Sequence, residues 1–128
     1  MVKNHVISLK DAASGVLHGG QGVFRILIDE ESCGAKNFSL LVNTMNTGAK
    51  GSEHEHIVEH CFYFLSGSGT AYIAGKPFEI GPGVAVFIPP NTPHKIDSGR
   101  EELTYVVIYA PPGPEQQLKH REEKAFDI

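Results

Sequence analysis

Apolar residues along this chain come in short runs separated by glycine, proline and polar clusters, the pattern of strands and tight turns. Runs at 23–28, 38–45, 60–65, 70–74, 76–80, 84–88 and 103–109 each read as a strand. The turns between them are marked by Gly48 and Gly51, by Ser66-Gly67-Ser68-Gly69, by Gly75, by Gly81-Pro82-Gly83 and by Pro89-Pro90. Residues 29–34 read as a turn, and residues 1–20 as a short apolar run (Val6, Ile7, Leu9) leading to a loop that ends at His18-Gly19-Gly20. No internal stretch holds a helical period. Only the polar segment 115–124, with Leu118 as its apolar anchor, is good helix-forming material, a short surface helix or tail. Strands spaced every ~8–12 residues with turn signals between them predict an all-β sandwich or barrel.

The length of 128 residues suits one domain, 1–128, able to bury about two-thirds of its unfolded surface. A net charge of −4 gives no reason to expect nucleic acid or an anionic membrane as partner. No apolar run approaches the ~20 residues that span a bilayer. The first residues open no signal-peptide pattern, so a cytoplasmic location is expected. Cys33 and Cys61 are too few for a disulfide scaffold and fit a reducing compartment. Cys61 follows His60 directly, so strand alternation turns it away from the His60 face.

The chemistry concentrates in residues 53–60, Glu-His-Glu-His-Ile-Val-Glu-His. A strand places His54 and His56 on one face, roughly 6.6 Å apart at about 3.3 Å per residue. A bend at 57–59 would let His60, opening the next strand, close that face with a third imidazole. Alternating Glu and His also describes a solvated loop. The aromatic run that follows, Cys61-Phe62-Tyr63-Phe64-Leu65, argues against it, because a histidine opening a buried strand sheds its water and needs a hydrogen bond or a metal.

The wider pattern is specific. Gly48-x5-His54-x-His56-x3-His60-x6-Gly67, together with Gly83-x5-Pro89-x-Asn91-x2-His94, resembles the two motifs of the cupin superfamily over residues 20–112 or so. The resemblance implies a single-domain jelly-roll barrel, or double-stranded β-helix, with an N-terminal arm at 1–19 and a polar tail at 113–128. Three positions depart from it. His60 stands where the family usually has a ligating Glu, Asn91 replaces a glycine, and Asp97 or Ser98 falls where the last Asn would. A slip of one residue would put Glu59 in the ligand position, but the six-residue gap to Gly67 counts back to His60. The resemblance therefore implies an all-histidine site, His54, His56, His60 and His94. It is similar to the small bacterial cupins that hold one divalent transition metal per chain: Mn, Fe, Zn, Ni, Cu or Co. Small cupins commonly dimerise through N-terminal strands, and Val6-Ile7-Leu9 would suit a homodimer.

Four neutral imidazoles leave the ion's +2 charge uncancelled, which favours anionic or enolate-type ligands. Alternation points Glu53 and Glu55 away from the His54/His56 face. Alternation from His60 turns Phe62 and Phe64 inward. The parity of two other strands stays open: either Ser39/Leu41/Asn43 or Leu40/Val42/Thr44 faces inward, and either Tyr105/Val107/Tyr109 or Thr104/Val106/Ile108. We place Leu41, Val106 and Ile108 with Phe62 and Phe64 around a small-molecule substrate. Arg25 and Lys50 are candidates for a substrate carboxylate. No inward acid–base group beyond the ligands can be named. These features point first to an oxidoreductase, a dioxygenase cleaving a C–C or C=C bond of a small phenolic or enolisable substrate. The alternatives are a non-redox lyase, isomerase or cyclase, and a metal- or small-molecule-binding protein without catalysis.

Overall fold

Two antiparallel sheets enclose the core in the computed structural model, which describes residues 4–120. The strands are β1 (Ala13–Leu17), β2 (Gly22–Ile28), β3 (Ser39–Met45), β4 (Glu59–Ser66), β5 (Gly69–Ile73), β6 (Lys76–Ile80), β7 (Ala85–Ile88), β8 (His94–Ser98) and β9 (Leu103–Ala110). The larger sheet runs β1-β2-β3-β9-β4-β7 and the smaller β6-β5-β8. All the strands expected from the apolar runs form. This is the all-β barrel architecture that the two motifs implied.

Register settles which face is the interior. Ser39 lies opposite Tyr109, Leu41 opposite Val107 and Asn43 opposite Tyr105, and β4 brings His60 beside Tyr109 and Phe62 beside Val107. Side chains alternate across a strand, so these residues share the buried face. Leu40, Val42, Val106 and Ile108 pair on the opposite, half-buried face. Val106 and Ile108 are therefore on the outside of the sheet, a correction to their expected place in the pocket.

Two strands escaped the sequence pattern. β1 is built from small residues, and Gly15 lets the chain lie against the ring of Phe24. β8 reads His-Lys-Ile-Asp-Ser, polar but for Ile96, yet His94, Asp97 and Ser98 are buried. Their polar atoms are met inside the fold: Asp97 accepts the Gly51 N–H at 3.0 Å, and Ser98 Oγ accepts that of Ala49 at 2.8 Å. Residues 6–9 form no strand; Val6 is exposed and Leu9 starts a 3-10 turn.

The expected turn after β2 contains one helical turn, α1 (Glu30–Cys33), nucleated by a capping box between Asp29 and Ser32. The C-terminal helix is α2 (Pro114–Lys119), shorter than expected; residues 121–124 of the expected segment lie outside the described residues. Leu118 is its buried apolar anchor. Polar contacts fix α2 as well. Buried Glu115 accepts from Ser39 Oγ at 2.7 Å and from Gly113 N–H at 2.9 Å, while Gln116 and Lys119 both donate to Asp29. Burial alone would raise the Asp29 pKa, but Lys119, Ser32 and Gln116 outweigh it and hold the carboxyl down at about 2.

Gly67 sits at φ +94°, and a Cβ there would run into the Glu102 carbonyl that connects to β9. Gly67→Ala should therefore destabilise the fold by about 2 kcal/mol or more, read as a lower urea midpoint with unchanged slope.

Candidate metal centre

The histidines are gathered by backbone pairing between two loops far apart in sequence. His54 and His94 exchange backbone hydrogen bonds (3.0 and 2.9 Å), and Asn91 N–H donates to the His56 carbonyl at 2.6 Å. Asn91 takes a left-handed φ of 57°, which Asn tolerates where its usual glycine would stand. The expected strand through His54 and His56 is not formed; residues 51–58 carry one isolated bridge, at His54. A bend at 57–58 then leads into β4, which starts at Glu59 and carries His60 inward.

All four predicted imidazoles converge. One ligand nitrogen from each of His54, His56 and His94 lies within 4.8 Å of the others. The fourth ring completes the group, with His60 Nε2 3.1 Å from His94 Nε2. Ring centroids are 4.4 Å apart for His54–His94, 4.6 Å for His60–His94 and 5.1 Å for His56–His60. Glu59 is exposed, as are Glu53 and Glu55, so the ring at position 60 is the one turned into the cluster.

Hydrogen bonds choose the tautomers. His54 donates Nδ1–H to the Ser52 carbonyl at 2.7 Å, and His94 donates Nδ1–H to the Thr92 carbonyl at 2.8 Å. A carbonyl can only accept, so both rings keep a lone pair on Nε2, facing the cluster. His56 Nε2 is buried with no partner, and His60 Nδ1 faces the Val58 backbone without a full hydrogen bond. Orphaned polar atoms of this kind cost free energy unless something meets them. A cation does. Two imidazole nitrogens bound side by side at ~2.1 Å would stand about 3 Å apart, the spacing found between His60 and His94. The donor set fits a divalent transition metal.

Burial is the main reason these rings stay neutral. It lowers the pKa of His54 to about 3, of His56 to about 4 and of His60 to about 2, with neighbouring imidazoles adding to the effect. His94 is also lowered by burial, opposed by its bond to Thr92 and the charges of Glu53 and Glu55. Neutral imidazoles are the metal-binding form.

The surroundings differ from the expected pocket. Phe62 stacks edge-on to His60 (5.2 Å) and lines a small interior cavity, but Phe64 and Leu41 lie deeper, wholly buried in the core. Arg25 is on the outer face of β2, and the exposed Lys50 lies 3.8 Å from Asp97; neither reaches the site. The interior cavity, ≈ 20 Å³, is lined instead by His18, Asn43, Tyr105 and Tyr109 as well as by His54, His60 and His94. Parity alone left the two tyrosines and Asn43 open. His18 gave a faint signal, a polar ring before two glycines, and it adopts φ 47°. A wider groove of ≈ 460 Å³, bordered by His54 and His56, runs between residues 54–58 and the start of α2.

These depressed pKa values make a pH prediction. In the unfolded chain the rings titrate near 6.5, so below that pH unfolding takes up protons that the folded state refuses. Stability of the metal-free protein should be fully present above about pH 6.5 and fall as pH drops toward about 3–4, seen as a declining urea midpoint.

Comparison with known proteins agrees with the fold. Over 91 residues, 71% of the chain, the sequence is 30% identical to dimethylsulfoniopropionate lyase DddW of Ruegeria pomeroyi. Over 89 residues, 62% of the chain, it is 34% identical to auxin-binding protein 1 of Arabidopsis thaliana. The chain spans 60% and 45% of the lengths of these two relatives. The solved structure of polyketide cyclase RemF from Streptomyces resistomycificus matches with a TM-score of 0.75 at 26% identity, covering 87% of this chain and 82% of that one. Residues 41–109, more than half of the chain, match the model of the Cupin domain, and the chain belongs to the cupin family.

Proposed function

We propose that this protein is a metal-dependent enzyme of the non-redox kind, a lyase or cyclase acting on a small enolisable molecule, with His54, His56, His60 and His94 as ligands. The observation that carries the reading is the pairing of converging imidazole lone pairs with two buried phenols at the same place. A bound divalent ion supplies Lewis-acid polarisation of a substrate carbonyl or enol oxygen.

The protein's own groups handle the proton. Tyr109 lies against His60 and His56, at ring distances of 5.1 and 5.6 Å. Burial, with Tyr105 and Glu115 nearby, pushes its pKa far above the usual phenol range, so it keeps its proton and acts as donor. Tyr105 is pushed up to about 12 by burial, offset in part by a hydrogen bond from Asn43. Two protonated phenols beside the cluster can donate to a developing oxyanion or a departing group, work that preorganised donors do well in a dry site. Phe62 adds an apolar wall to the cavity beside them.

The oxygenase suggested first by the residues would use the same ligands. The phenols tilt the reading toward acid–base chemistry, as do the similarities to a protein named as a lyase and to one named as a cyclase. Zinc-loaded protein should turn over a panel of enolisable acids, including dimethylsulfoniopropionate, under strict anaerobiosis. Tyr109→Phe should slow it about 100-fold with metal content unchanged. In elemental analysis His60→Ala should weaken metal retention about 10-fold or more, whereas Glu59→Ala should not. Oxygen uptake by the Fe(II) or Mn(II) form, with no anaerobic product, would instead restore the oxygenase.

The exposed Val6 and the apolar outer face bearing Val106 and Ile108 favour a homodimer. Sedimentation at micromolar concentration should give twice the chain mass; a monomer refutes this.

A further inference from the structure

We propose that the groove between residues 54–58 and the start of α2 is the substrate cleft. Its ligand is a small molecule with one metal-seeking oxygen head (carboxylate, enol or phenol) and a body that carries no second negative charge. This rests on the metal-centred reading above and adds the direction of approach and the class of substrate.

Size makes the first choice. The interior cavity of ≈ 20 Å³ has room for about one water, whereas the groove of ≈ 460 Å³ falls in the range of small-molecule sites, ~300–1,000 Å³. His54 belongs to both spaces and His56 to the groove, so the groove adjoins the cluster, with Tyr109 against the ring of His56.

Chemistry makes the second. Ile57, Val58, Pro112 and Pro114 give the groove apolar sides, and Ile57 is 82% exposed at its mouth. A large apolar side chain held open beside a concave site gains by covering an apolar ligand. Beyond His54 and His56, the polar side chains of the lining are Glu55 and Gln117. No Lys or Arg lines the groove, among the described residues. One anionic head can be matched by the metal charge, but a second anion would meet Glu55 with no cation to offset it. Phosphorylated and polycarboxylate molecules are thereby disfavoured, while neutral or cationic bodies are accepted.

The far wall is a fixed surface. Glu115, 1% exposed, ties α2 to Ser39 and to the Gly113 N–H, and Gln116 and Lys119 anchor it on Asp29. Gly113 and Gln117 are thus presented to the groove by a braced helix rather than by a loose tail.

Calorimetric titration of zinc-loaded protein with 4-nitrocatechol, and with 4-nitrophenyl phosphate as the doubly charged control, tests this. Wild type should bind the catechol and bind the phosphate ester at least about tenfold more weakly. Gln117→Trp, which fills the groove, and the surface change Ile57→Glu should each weaken catechol binding about tenfold or more, with zinc content and melting temperature unchanged. Zinc-dependent catechol binding that ignores both changes, or a phosphate ester that binds as well as the catechol, overturns the cleft and leaves the metal site standing. Catechol binding that does not depend on zinc overturns both.

Discussion

Pairing of the His54 and His94 backbones is the contact on which this site depends. Two reciprocal N–H···O=C bonds join a loop before β4 to the start of β8, forty residues apart, and fix where four imidazoles meet. Both rings then turn Nδ1–H onto a carbonyl two residues back in the chain, Ser52 for one and Thr92 for the other. Orientation and tautomer are thus set by the backbone and need no neighbouring carboxylate. That explains how Glu53 and Glu55 can stand in solvent beside the histidine cluster, acting on His94 through their charge alone.

The barrel wall supplies what the loops cannot. β4 and β9 lie side by side, so His60, Phe62, Tyr105 and Tyr109 share one buried face by strand alternation. Desolvation there has opposite consequences for the two kinds of group. It removes the proton from an imidazole, whose charged form is the protonated one, and keeps it on a phenol, whose charged form is the deprotonated one. One environment therefore yields lone pairs for a cation and protons for a substrate oxygen, without any group of unusual intrinsic acidity.

A second buried polar system reaches the same buried face through Ser39. Asp29, Glu115, Ser39, Gln116 and Lys119 satisfy one another and brace α2 against the barrel. Buried charge is tolerated here because every carboxylate has donors. Its contribution to the site is indirect: it holds the segment from Pro112 to Gln117 that forms the outer side of the groove.

What the sequence determined by itself was everything with a short-range cause. Apolar runs and glycine-proline turns marked seven of the nine strands among the described residues, and the resemblance of two separated motifs to the cupin pattern implied the four rings, His54, His56, His60 and His94. What needed the tertiary structure was everything decided across strands. β8 is polar in sequence and buried only because Gly51, Ala49 and their neighbours satisfy it. Parity is invisible when loops intervene, so Val106 and Ile108 looked as fit for the interior as Tyr105 and Tyr109, until pairing with β3 and β4 turned the tyrosines inward. His18 and the α2 wall belong to the site through contacts that span most of the chain, and no local pattern records such contacts.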